Sequence, residues 1–195
     1  KAIVAAEDLR FRYHPGVDPI AVARAAAQDL WHRRIVSGAS TLTQQLARTL
    51  APHPRTLRGK LGEMALAARI EASLSKDEIL TLYLNKIPLG YRAFGVGAAA
   101  QVYFGKDVKD LTLDEIAIIA GLPKAPSMLN PIRSPERAFA RRNVVLGRML
   151  ETGKITQAQF DEASKMPVKA RYHGAETTLN APYLSEMVRQ KMVEQ

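Results

Sequence analysis

The sequence predicts a mainly α-helical domain, and three observations carry the prediction. Helix-start punctuation recurs along the whole chain, apolar residues fall at helical spacing between those starts, and strand-like alternation is confined to Val168, Ala170 and Tyr172. A hydrophobic content of 47% over 195 residues supplies a core for one domain with an appended segment.

The elements follow in order. An apolar run over residues 2–6 leads into Glu7 and Asp8. Asp18-Pro19 places an N-cap before a proline at the first helical position, and an alanine-rich helix is expected to residue 34. Ser40 opens a second helix to Leu50, ended by Pro52 and Pro54. A longer helix is expected over about 55–74, its start weakened by Gly59 and Gly62. Ser75 with Glu78, Thr112 with Glu115, and Thr156 with Gln159 have capping-box spacing, in which the hydroxyl and the acid or amide each satisfy an orphan backbone N–H. Each pair announces a helix. Asn85, Gly90, Gly95 and Gly97 bracket a loop ahead of residues 98–105. Ser134-Pro135 starts a helix through Arg137, Arg141 and Arg142 to about Glu151. The alternation at Val168, Ala170 and Tyr172 makes one short strand or an extended linker, and residues 180–194 read as a last helix. The expected organisation is a helical domain over 1–167, followed by a linker and helix over 168–195.

Charge and composition narrow the function. Lys and Arg number 28 against 19 Asp and Glu, a formal charge of +9, which favours anionic partners: nucleic acid, anionic lipid heads or phosphorylated substrates. The absence of cysteine excludes disulfide scaffolds, thiolate zinc sites and cysteine nucleophiles. No apolar run reaches the ~18 residues of a membrane span, residues 116–122 being the nearest. Lys1 stands where a methionine would, with no signal-type segment after it, so a piece of a longer protein is expected.

Three polar clusters stand out. Glu7 and Asp8 are adjacent carboxylates able to raise one another's pKa, as a general base near neutrality requires, and a charged helix end before a His14-Pro15-Gly16 turn explains them equally well. Thr41, Gln44 and Arg48 share one helical face opposite Leu42, Leu46 and Leu50; the polar row suits a phosphate or a sugar, and an ordinary amphipathic helix gives the same pattern. Arg55, Arg58 and Lys60 surround Glu63, an anion site or a helix salt bridge. The four histidines, His14, His32, His53 and His173, lack metal-ligand spacing.

In order, these segments resemble the signatures of the peptidoglycan glycosyltransferases, the family-51 module of class A penicillin-binding proteins. Glu7-Asp8-x-x-Phe11-x-x-His14-x-Gly16-Val17-Asp18 is similar to the first signature, Gly38-x-Ser40-Thr41-x-Thr43-Gln44-Gln45 to the second, and Lys60-x-x-Glu63 to part of the third. Lys76-x-Glu78-Ile79-Leu80-x-x-Tyr83-Leu84-Asn85, Gly95-Val96-Gly97-Ala98-Ala99, and Gly121-Leu122-Pro123-Lys124-Ala125-Pro126-Ser127 with Asn130-Pro131 extend the match over about 1–150. Two positions depart from the usual pattern. Arg48 stands where the family usually has Lys, and Gly59 where it usually has Arg, so one expected cation is missing unless Arg58 substitutes.

The resemblance implies a lysozyme-like, two-lobed helical fold whose smaller, membrane-facing lobe spans about 19–56. It implies polymerisation of lipid II into glycan strands by inverting β-1,4 transfer, with release of undecaprenyl pyrophosphate. Glu7 would be the catalytic base and Glu63 the second essential carboxylate. Asp8, Phe11, His14, Ser40, Thr41, Gln44, Gln45, Arg48, Arg55 and Lys60 would contact substrate, with Arg48 and Arg55 on the donor pyrophosphate. No cofactor is obligatory, although a divalent cation, Mg or Mn, suits the diphosphate; the metal ligands are unknown. Implied partners are lipid II, the growing glycan strand, the membrane surface, moenomycin-type inhibitors, and an N-terminal anchor and C-terminal transpeptidase domain outside this chain; nucleic acid is not implied. The implied location is the periplasmic or outer face of the bacterial cytoplasmic membrane. The alternatives are a lysozyme-like peptidoglycan hydrolase, which needs no cationic row, and a catalytically impaired lipid II-binding module.

Overall fold

A computed structural model describes residues 1–32, 40–54 and 56–174, without the side chains of Ala26 and 29–32. Arg55, the segment between Arg33 and Ala39, and the helix expected at 180–194 lie outside the described residues. The described residues form α1 (Ala2–Glu7), α2 (Pro19–His32), α3 (Leu42–Leu50), α4 (Leu57–Ser73), α5 (Lys76–Lys86), α6 (Gly95–Phe104), α7 (Leu113–Gly121), α8 (Pro135–Glu151) and α9 (Gln157–Lys165). Among them no strand appears, only a single bridge between Pro88 and Phe94.

Two packed groups share one core. α8 lies on α7, α1 and α9, while α3 lies on α4 and α5. Leu42, Leu46, Ile79, Tyr83, Leu122, Val145 and Leu146 are fully buried between them. α3 falls within the 19–56 segment, yet it packs into this body. α1 has only six residues, too few to be stable alone, and is held because Ala2, Ile3, Ala5 and Ala6 are all buried.

The capping boxes at Ser75, Thr112 and Thr156 form as their spacing predicts. Two starts differ from expectation. α3 begins at Leu42, not at Ser40, because Thr41 is the N-cap and Gln44 completes a capping box with it. α6 begins at Gly95, so Gly97 is helical and no loop separates them. Gly95 has φ +83°, and a Cβ there would sit 2.6 Å from the Asn85 carbonyl oxygen. The alternating segment near Tyr172 is an extended linker: the N–H groups of Arg171 and His173 donate to the Tyr103 and Val102 carbonyls at 3.1 and 2.9 Å. Those are last-turn carbonyls of α6, which lack helical partners.

Candidate active site

α1 delivers Glu7 as its last residue. Glu7 Oε1 accepts from Arg141 Nη2 of α8 at 2.7 Å, and Oε2 accepts from Gln45 Nε2 of α3 at 3.1 Å. The Tyr83 hydroxyl of α5 donates to Gln45 Oε1 at 2.8 Å, which fixes the amide so that its N–H faces the carboxylate. Burial pushes the Glu7 pKa above its ordinary value; the Gln45 hydrogen bond and the charges of Arg141, Lys124 and Arg148 oppose it. Burial, with the Glu7 and Asp8 charges, raises the Tyr83 phenol as well, so Tyr83 stays a neutral donor. Each Glu7 oxygen retains one lone-pair position for an incoming proton.

Glu63 is the centre of a second cluster. Its side chain is fully buried and accepts from Arg48 Nε at 2.7 Å and from Lys60 Nζ, while His53 Nε2 stands 3.2 Å from Oε2. Burial alone would raise the Glu63 pKa, but the hydrogen bonds and charges of Arg48 and Lys60 win and lower it. Lys60 Nζ also donates to Ser40 Oγ at 3.0 Å, tying the cluster to the entry of α3.

Other residues expected to touch substrate also hold the site together. Phe11 is fully buried, with the Lys76 ammonium 4.7 Å from its ring centroid. Asp8 is buried and accepts from the Leu42 N–H at 2.9 Å, and His14 Nε2 lies 3.0 Å from both Asp8 oxygens. Asp8 and His14 thus pin the first turn of α3 to the end of α1. Thr41 and Gln44 are buried in their capping box, and Thr41 Oγ1 also donates to the Gly16 carbonyl at 2.5 Å. A face count over the helix treats Thr41 and Gln44 as displayed; cap chemistry turns both inward.

Glu7 and Ser40 stand where two clefts meet. One, of about 740 Å³, is lined by Gln45, Arg48, Ile87, Lys124, Arg141 and Arg148. The other, of about 430 Å³, runs past Arg10, Arg24, Gln28, Thr41 and Thr152. Lys124, Arg141 and Arg148 are site residues that sequence reasoning did not assign. Arg148 Nη1 caps the Ala6 carbonyl at 3.1 Å, directly beside Glu7. The helical spacing of Arg141 and Arg148, seven residues apart on one face of α8, is the signal that was available. Arg58 is exposed and does not join the Glu63 cluster.

The described residues contain no group of three or more His, Asp or Glu side chains that could hold a metal ion. The carboxylates of Glu7 and Glu63 both already accept from cations, so this donor set does not build a protein-held metal site.

A helical body with a part-buried carboxylate where two cation-lined clefts meet fits a glycosyl-transferring enzyme, and the family comparison agrees. The family model described as Transglycosylase matches residues 1–150, and the chain belongs to that family, with its lysozyme-like helical fold. It is 61% identical over 193 residues to penicillin-binding protein 1A of Escherichia coli (strain K12), covering 98% of this chain and 23% of that one. The corresponding protein of Vibrio cholerae is 58% identical over 196 residues, covering 100% and 24%. The 2.6 Å crystal structure of penicillin-binding protein 1A from Haemophilus influenzae superposes with a TM-score of 0.55 at 46% identity, over 82% of this chain and 21% of that one. The chain therefore spans about a quarter of the length of the relatives it matches.

Proposed function

We propose that the chain is a peptidoglycan glycosyltransferase that polymerises lipid II by inverting β-1,4 transfer. The observation that carries this is the position of Glu7: part-buried, raised in pKa, and set where two cation-lined clefts meet. Glu7 accepts the proton of the acceptor's 4-hydroxyl as that oxygen attacks C1 of the donor sugar. The arrangement is that of inverting glycosidic chemistry with a sugar hydroxyl in place of water. Undecaprenyl pyrophosphate leaves without needing a proton, because Arg48, Lys60, Lys124, Arg141 and Arg148 supply positive charge. A hydrolase has no pyrophosphate to stabilise and no use for that row. A divalent cation, Mg or Mn, would add positive charge to the diphosphate. Incubation with lipid II and chromatography of the products tests the reading: glycan strands support it, and unchanged lipid II overturns it.

Arg48 is half-exposed and faces the larger cleft. A cation ~4 Å from a phosphate is worth about 4 kcal/mol at an effective dielectric of ~20, and solvent at Arg48 reduces that. Arg48→Ala is expected to weaken donor use about tenfold or more, on that discounted figure, with acceptor use less affected. Arg48→Lys keeps much of the activity. Separate donor and acceptor titrations check both statements.

We also propose that the domain works at a membrane surface. No helix of the described residues is long and apolar enough to cross a membrane. Leu57 and Leu61 on α4 are 79% and 58% exposed, and Leu50 at the end of α3 is 53% exposed. Apolar groups one turn apart beside Arg58 suit an interfacial location. The side chains of Trp31 and Val36, within the expected 19–56 lobe, lie outside the described residues. Anionic vesicles are expected to float the protein, with binding reduced but not lost at high salt. Replacing Leu57 and Leu61 with serine should weaken flotation about tenfold, roughly 25 cal/mol per Å² being lost over the exposed apolar area.

A further inference from the structure

The missing cation at position 59 has a structural counterpart. Gly59 lies against the turn that precedes α4: a Cβ there would sit 2.5 Å from His53 Nδ1 and 2.5 Å from the Pro54 carbonyl oxygen. Any side chain at 59 would displace that turn. With glycine present, the His53 ring sits between two acceptors. Nδ1 stands 2.9 Å from the Pro54 carbonyl oxygen, and Nε2 stands 3.2 Å from Glu63 Oε2. A neutral imidazole has one N–H and can satisfy only one of these; the imidazolium satisfies both.

We propose that His53, protonated, is a positioning residue of the donor site, a further cation on Glu63 beside Arg48 and Lys60. It replaces, from the turn, the charge that Gly59 omits from the helix. The inference rests on the reading of the larger cleft as the site of the donor diphosphate. Glu63 carries one negative charge against Arg48 and Lys60. A protonated His53 takes a share of Oε2, the oxygen that Arg48 Nε also uses, so that more of the Arg48 charge is left for the substrate.

The groups facing His53 set the balance of its proton. Arg48 from α3, Lys60 from α4 and the positive end of the α4 dipole disfavour it; the Glu63 carboxylate and the Pro54 carbonyl favour it. The donor site is therefore stronger with His53 protonated than with it neutral, a difference to be read between pH 5.5 and 8.5. Both phosphates of lipid II are substituted, so the substrate's own charge is constant over this range.

The test uses the 195-residue chain, His53→Gln, His53→Lys and Gly59→Ala. Lipid II polymerisation is followed from pH 5.5 to 8.5, with the donor KM separated from kcat. The wild-type donor KM is expected to rise with pH by roughly threefold, the scale of a partly exposed ion pair. His53→Gln should show the high KM throughout with no pH step, and His53→Lys the low KM throughout. Gly59→Ala should behave as His53→Gln because it displaces the turn. A glutamine variant whose KM profile superposes on the wild type, or a lysine variant that behaves as glutamine does, overturns the proposal. A second measurement is calorimetric binding of uridine diphosphate N-acetylglucosamine, a disubstituted diphosphate of constant charge over this range. Binding that weakens with pH in the wild type but not in His53→Gln supports the role of His53 even if lipid II is left unpolymerised, in which case only the polymerase reading falls. Binding with the same pH dependence in both proteins counts against His53 whatever the polymerisation assay shows.

Discussion

Glu7→Gln abolishes glycan formation from lipid II while the protein still melts cooperatively near the wild-type temperature. A positioned general base contributes about 10²- to 10⁴-fold, and glutamine retains its shape without its basicity. The stability half of the expectation follows from the direction of the pKa shift. Glu7 has a folded-state pKa raised by burial, so the stability this group contributes is greatest below its unfolded value and is lost as pH rises through the folded one. At neutral pH the charged side chain costs stability, and glutamine removes that cost. Against it, the new amide meets the amide of Gln45, which Tyr83 holds in place. The two effects offset. The same shift places the acid limb of the wild-type rate profile above the ordinary carboxylate range. Measuring lipid II turnover beside a thermal melt checks both halves, and near-normal product from a folded Glu7→Gln protein would remove Glu7 from the mechanism.

What sequence alone could reach divides along physical lines. The capping boxes at Ser75, Thr112 and Thr156, and the Ser134-Pro135 start of α8, are local: a hydroxyl and an acid or amide three residues apart satisfy backbone donors whatever surrounds them. Thr41 and Gln44 have the same spacing, and the periodicity of α3 drew attention to their helical face instead. The identities of Glu7 and Glu63 were legible as motif positions, but their environments were not. The partner of Glu7, Arg141, is 134 residues away in the chain, and its role depends on α8 crossing α1. Phe11, Asp8 and His14 read as site residues in a motif, and all three are buried, which packing decides. The approach of His53 to Glu63 depends on the space above Gly59, a property of the folded turn that no residue count expresses.

Glu63→Ala is expected to lower both activity and stability, and the two losses have one cause. The Glu63 side chain is fully buried, and its charge is the common anchor for Arg48 and Lys60. Without it the two cations repel one another, Ser40 loses an ordered partner in Lys60, and no group defines where Arg48 points in the cleft. Misplacement of about 1 Å costs on the order of a hundredfold in rate, and that is the expected loss in kcat/KM for lipid II. Both cations reach solvent, with side chains 48% and 37% exposed, so the stability cost is roughly 2 kcal/mol and not the ~3–5 kcal/mol of an enclosed pair. For a domain of this size that lowers Tm by about 4–8 °C. The pH dependence separates this from simple loss of packing. Because the Glu63 pKa is lowered in the folded state, its contribution is fully present above the unfolded value and is lost as pH falls through the folded one. The difference in Tm between wild type and Glu63→Ala should therefore shrink as pH falls below the ordinary carboxylate range. A difference that stays constant into acid would mean that Glu63 stabilises the fold by volume and not by charge.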